Sequence, residues 1–230
     1  MLDNKYNKVL TIILVIVAVA ILIILGFWGY DIIRKRNIDK DTNQALTEFE
    51  NVISKNKNKK KNNNNDTDNE IGNVELDQNL IVNQSASSTS SKSKLATQTY
   101  KGFTVSGKIE IPAIKLAYPV LDRATKSSIK VAVGISYGVG LNNVGNTVIM
   151  GHNFRDGTFF SNLKNLKNGD LIYITDLTGT KIKYTIYNMY TTSASDFDYA
   201  VRDTAGKREI SLSTCTDDVQ ARLVIWAKED

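Results

Sequence analysis

The sequence predicts an all-β domain of closed-barrel or sandwich type carried on a single membrane-spanning helix. Three observations lead there. The first thirty residues are almost all apolar, the next seventy are nearly core-free, and the last 130 alternate like short strands separated by turns. The chain has 230 residues, 42% of them apolar and 23% charged, an ordinary globular composition that excludes wholesale disorder. A folded unit of about 130 residues buries a sufficient core without disulfides. One cysteine excludes an intramolecular disulfide framework. The net charge of +5 and pI near 9.1 come from a spread surplus rather than a basic stripe, which argues against nucleic acid as a partner.

At the amino end no charged residue occurs from Val9 to Tyr30. Those 22 residues cover roughly 33 Å as a helix, enough for a bilayer core. Trp28 and Tyr30 stand where interfacial aromatics belong. A cleaved signal peptide would use Ala18-Val19-Ala20 and leave Ile21–Leu25 at the mature terminus. The apolar run also exceeds a normal signal core, so an uncleaved anchor contacting membrane lipid is expected. Lys5 and Lys8 precede the span, while Arg34, Lys35, Arg36 and Lys40 follow it. Flanking charge alone leans toward a cytoplasmic carboxyl side.

Residues 31–54 can extend as a helix with Leu46, Phe49 and Ile53 on one face. The Lys/Asn run Lys55–Asp66 and the Ser-rich tract Ser85–Ser93 form no core, so about 55–98 reads as a flexible tether. The expected organisation is an anchor at 1–30, a juxtamembrane helix and disordered tether at 31–98, and a β-rich domain at 99–230 that folds alone.

Within that domain the strand candidates are Gly107–Ile111, Leu116–Val120, Thr147–Met150, Leu171–Thr175, Lys181–Tyr190, Ile210–Thr214 and Leu223–Ala227. Leu177-Thr178-Gly179-Thr180 predicts a hairpin turn. Phe159–Leu166 and Ser127–Val133 read as helical, and Pro112 and Pro119 are expected at strand ends.

The chain has one histidine, His152, and one cysteine, Cys215, each at the end of a predicted strand. Such a pair suits nucleophilic catalysis, with thiolate attacking a carbonyl and imidazole moving the proton. Separately, each has a plainer reading, an inert core thiol and a satisfied or surface imidazole. They fall short of the four ligands of a closed zinc site, so no metal is expected. Arg222 follows seven residues after Cys215. A tight reversal over Thr216–Ala221 would set it beside Cys215 on the next antiparallel strand, where a guanidinium can stabilise an oxyanion. The alternative is a surface ion pair with Asp217 or Asp218.

Three motifs together resemble the sortases, Gram-positive cysteine transpeptidases of the cell surface. Ser211-Leu212-Ser213-Thr214-Cys215 is similar to their TLxTC strand, with Ser for the opening Thr. Gly151-His152-Asn153 resembles their GH motif, and Arg222 falls where their essential Arg follows the Cys. Gly107–Pro112 and Tyr118-Pro119-Val120 look like their first two barrel strands. The resemblance spans roughly 103–228. It implies an eight-stranded barrel and an extracellular catalytic domain with a cytoplasmic amino terminus. Some sortases depend on calcium, but the sequence shows no compelling acidic cluster, and no cofactor is expected. It also implies cleavage of an LPxTG-like sorting signal on secreted proteins between Thr and Gly. A thioacyl enzyme would then pass the protein to an amine acceptor, a peptidoglycan precursor or a pilin lysine, in cell-wall anchoring. By resemblance Cys215 is the nucleophile, His152 the acid and base, Arg222 the oxyanion stabiliser, and Thr214 a substrate-positioning residue. The short Ser195–Glu209 connection looks like class D, with class B or A as alternatives. Two other functions compete: a non-catalytic anchored β-domain binding a wall ligand, and a purely hydrolytic cysteine peptidase.

Overall fold

The computed structural model of the protein describes residues 3–63 and 95–230. Helix α1 spans Asp3–Asn63. Within it lies a stretch apolar enough to cross a membrane, with a mean hydropathy of 3.4 over its best 18-residue window and side chains facing outward. The contacts divide the chain into two units, 1–44 and 45–230.

In the second unit, strands β1 (Gln98–Tyr100), β2 (Phe103–Ile111) and β3 (Leu116–Leu121) are followed by β4 (Val133–Gly138) and β5 (Gly145–Met150). Then come β6 (Leu171–Asp176), β7 (Lys181–Ser193), β8 (Arg208–Cys215) and β9 (Ala221–Glu229). The sheet runs β1-β2-β3-β4-β5-β8-β9-β7-β6, and a further β2–β6 pairing closes it. Eight strands thus form a closed barrel, with β1 flanking β2. Closure leaves no long free edge to recruit another chain.

Alternation fills the interior. Ile109 and Ile111 of β2 point inward with Val120, Ile149, Ile172, Ile174, Leu212 and Ile225, all fully buried. Val105 and Leu121 pack with Phe49, and Val224 with Tyr199, on the other face. At the closure Gly107 pairs with Asp176. A Cβ there would lie 2.5 Å from the Thr175 carbonyl oxygen, so only glycine lets β2 and β6 meet.

All seven strand candidates from the sequence are present. Two strands were not anticipated, the three-residue β1 and β4. Ser127–Val133, expected as helix, is a single 3-10 turn at Ser128–Lys130 running into β4, whose register bulges between Ile135 and Tyr137. Phe159–Leu166 holds only a 3-10 turn at Leu163–Asn165. The hairpin turn after β6 forms as expected, with Asp176 N donating to Thr180 O at 3.1 Å. Pro112 begins a 3-10 turn at the end of β2. Pro119 instead lies inside β3, where β4 pairs only with Val120 and Leu121 and leaves an open edge.

The expected tether differs at its amino edge. α1 continues through Asn63, and its segment from Ala45 belongs to the barrel unit. Ala45, Phe49 and Ile53 are buried with Tyr100, Val105, Leu121 and Ala132, so the apolar face uses Ala45 rather than Leu46. Asn56, 3% exposed, lies in the run assigned to the tether. Its Nδ2 donates to the carbonyls of Ala96 (3.1 Å) and Leu177 (2.8 Å), and its Oδ1 accepts from Ala96 N at 2.7 Å. Gln98 Nε2 donates to Ala45 O at 2.8 Å. A polar side chain satisfied this fully seats the helix instead of opposing burial. The Ser-rich tract and the end of the Lys/Asn run lie outside the described residues.

Candidate active site

Strands β5 and β8 run parallel, with Met150 opposite Ser213. Gly151 N extends the ladder to Ser213 O at 3.3 Å. His152 and Cys215 therefore stand at the same end of the barrel, each two residues beyond the last β5–β8 pair. Gly151 has to be glycine for packing reasons, since a Cβ would approach Val133 to 2.8 Å and the Phe160 ring to 2.9 Å. Thr214 is 2% exposed, and its hydroxyl donates to the Gly151 carbonyl at 2.9 Å. That hydrogen bond ties the strand of the thiol to the residue preceding the imidazole.

Cys215, a free and half-buried thiol, is directly opposite Arg222 in the β8–β9 register. The expected reversal exists and closes through Thr216 N donating to Ala221 O at 2.9 Å. Arg222 makes no ion pair with Asp217 or Asp218 among the described residues. Its Nε donates to Ala194 O at 3.0 Å, and its guanidinium lies 5.4 Å from the Phe197 ring centroid. Asp217 pairs with Lys164 and accepts from Asn153, contacts that hold its carboxyl below the usual range. The structure thus disfavours the ion-pair reading of Arg222.

Asn153 joins the two loops that the motifs start. Its Nδ2 donates to the Cys215 carbonyl at 3.1 Å and to Asp217 at 2.8 Å, and Arg155 Nη1 donates to Asp217 O at 3.1 Å. Beside this latch a cleft of about 340 Å³ reaches Thr214, Cys215, Phe160 and Leu223. The sequence reading did not single out Asn153 beyond its place in the motif, nor Asp217 as a latch. Adjacency to the motif histidine was the available signal for Asn153. No local pattern marks Ala194 or Phe197.

His152 is half-buried, with its ring 4.8 Å from that of Phe154. Burial first, and the charge of Lys130 second, lower its pKa below the ordinary 6.5. The imidazole is then neutral at pH 7 and can accept a proton. Acidification costs stability here, because below pH 6.5 the unfolded chain takes up the proton before the folded one. As the sole histidine, it gives one unambiguous imidazole signal in NMR. We expect its titration midpoint below 6.5, moving upward in Lys130→Gln. An unchanged midpoint in that variant would remove Lys130 from the account.

Cys215 and Arg222 on paired strands, with His152 just past the parallel neighbour β5, thus set a thiol, a guanidinium and an imidazole at one end of a closed β-barrel. Residues 109–230 match the family described as the Sortase domain. The chain belongs to the sortase family. It is 30% identical over 112 residues to Sortase A of Bacillus anthracis, covering 48% of this chain and 52% of that relative. The chain thus spans about half the length of that curated relative. A lid mutant of Sortase A from Corynebacterium diphtheriae superposes with a TM-score of 0.51 at 29% identity, covering 55% of this chain and 70% of that one. Sortase C-1 of Actinomyces oris gives 0.50 at 27%, covering 54% and 71%. A sortase D5 transpeptidase of Clostridium perfringens gives 0.50 at 26%, covering 55% and 79%.

Proposed function

We propose that the protein is a membrane-anchored cysteine transpeptidase that cleaves an LPxTG-like sorting signal between Thr and Gly and transfers the protein to an amine. The observation carrying this reading is the register that sets Cys215 opposite Arg222, on the strand whose parallel neighbour delivers His152. The Cys215 thiol gives its proton to neutral His152, and sulfur attacks the Thr carbonyl carbon. Arg222 donates to the resulting oxyanion, where fixed donors are worth most. The C–N bond breaks, His152 protonates the departing Gly amine, and a thioester remains on Cys215. An incoming amine attacks that thioester while His152 takes its proton. The amide forms and the thiol returns.

Thr214 fits this scheme as a substrate-positioning residue that lines the cleft and, through its hydroxyl, holds the His152 segment against the Cys215 strand. The acceptor class is a peptidoglycan precursor or a pilin lysine. The catalytic domain is extracellular and the amino terminus cytoplasmic. The β7–β8 connection holds only a three-residue 3-10 turn, Asp198–Ala200, and this economy supports class D. The test incubates the full-length protein in detergent micelles with LPxTG-like peptides, with and without added amines. Mass spectrometry is expected to find the amine joined to the Thr carboxyl. Cleavage that no added amine diverts would indicate a hydrolytic peptidase, and no cleavage of any peptide would contradict the proposal.

A further inference from the structure

The β7–β8 connection holds no residue that the motifs mark, yet it touches the guanidinium. Ala194 O accepts from Arg222 Nε at 3.0 Å, and the Phe197 ring lies 5.4 Å from the guanidinium carbon. Phe197 is 50% exposed, so its ring does not serve the core. The connection is pinned on both flanks. Before Phe197, Thr192 Oγ1 donates to Asp196, whose other oxygen accepts from Asp198 N at 2.9 Å. After it, Tyr199 is 2% exposed, and its hydroxyl shares a hydrogen bond with Ser213 Oγ at 3.1 Å. Asn146 Nδ2 donates to the carbonyls of Tyr199 and Ala200 at 3.2 and 3.0 Å. Arg202 Nη1 donates to Ser211 Oγ at 2.6 Å. Asn146 is on β5, and Ser211 and Ser213 are on β8. The connection is therefore fastened to the two strands that deliver His152 and Cys215.

We infer that the Ala194 carbonyl and the Phe197 ring form a holder that sets the plane of the Arg222 guanidinium, making Phe197 a positioning residue for it. This rests on the proposed role of Arg222 and adds how that role is achieved. A guanidinium is a planar fork of five donors. Fixing Nε and one face fixes where the two terminal amino groups point, and among the described residues neither is taken by a hydrogen bond or ion pair. A fork ordered before substrate arrives loses less freedom on binding the oxyanion. Ring and cation attract weakly at such a half-exposed site, so the loss expected without the ring is about two- to fivefold.

The test uses full-length protein in detergent micelles and compares wild type, Phe197→Ala, Phe197→Tyr, Arg222→Lys and the Phe197→Ala/Arg222→Lys double variant. Phe197→Ala is expected to lower kcat for peptide cleavage about two- to fivefold with an unchanged melting temperature, and Phe197→Tyr to restore it. In the Arg222→Lys background, which has no guanidinium plane to orient, Phe197→Ala should cost little more. The Arg222 Nε–H resonance, assigned by its loss in Arg222→Lys, should lose its ring-current shift in Phe197→Ala and keep it in Phe197→Tyr. Equal losses in both backgrounds, or an unmoved resonance, would overturn the holder. If wild type cleaves no peptide, the proposed function fails, and the resonance still decides the holder.

Discussion

Arg222→Lys is expected to lower kcat/KM for peptide cleavage by about 100- to 1000-fold while the protein stays folded. Lysine keeps the charge. It loses the two-pronged donor geometry, the Nε bond to Ala194 O and a plane that can lie over Phe197. Losing one such preorganised donor costs other enzymes about 2.7–4 kcal/mol of transition-state stabilisation. A surface ion pair would be worth only about 0–1 kcal/mol, and its replacement by lysine would be almost silent. Arg222 is on a strand end and fills no core position, so the melting temperature should barely move. Near-wild-type kcat/KM in the folded variant would remove Arg222 from the mechanism, even with Cys215 and His152 essential.

A fragment of residues 99–230 is expected to be much less stable than one beginning at residue 39. Cutting at 99 removes Ala45, Phe49 and Ile53 from the cluster they share with Tyr100, Val105, Leu121 and Ala132. It also takes away Asn56, the partner of the Leu177 carbonyl, and removes Gln98 with its bond to Ala45 O. Truncating one fully buried phenylalanine costs about 3–5 kcal/mol. For a unit of this size, Phe49→Ala alone should lower Tm by roughly 6–20 °C. The shorter fragment should show exposed apolar surface by dye binding and a still lower melting temperature. Equal melting temperatures for the two fragments would mean that the α1 segment is only an accessory to the barrel.

The strands of the barrel were legible because their β-branched and aromatic residues alternate at period two, and β2 shows it plainly with Ile109 and Ile111 buried and Lys108 and Glu110 half-buried. β4 was not legible. Only Val133 and Gly134 are buried there, and Ile135-Ser136-Tyr137-Gly138 face increasingly outward around a bulge. The docked end of α1 was misread for a different reason. Its contacts are long-range: Phe49 meets residues beyond position 99, and Asn56 reads as polar until the Ala96 and Leu177 backbone groups are placed around it. Local composition carries no trace of such partners.

For the site, the pairing of Cys215 with Arg222 was readable because a short polar turn between two strands fixes an antiparallel register. The placing of β5, which ends just before His152, beside β8 was not readable from local pattern, since the two are parallel neighbours separated by more than fifty residues of chain. Thr214 shows the limit of motif reading. The resemblance gave it substrate positioning, and the structure adds what no motif shows, a hydroxyl bonded to the Gly151 carbonyl in a residue that also lines the cleft. Phe197 and Ala194 have no motif at all and become visible only through Arg222.

The central claim is that Cys215 carries the acyl group, and intact-protein mass spectrometry tests it most directly. Full-length protein is mixed with a sorting-signal peptide in the absence of amine and quenched in acid, which slows thioester hydrolysis. The account predicts a mass increase equal to the peptide up to Thr, located by digestion on Cys215 and discharged by added hydroxylamine. The adduct should be absent from Cys215→Ala. Peptide cleavage without any adduct on Cys215, or undiminished cleavage after its complete alkylation, would contradict the account.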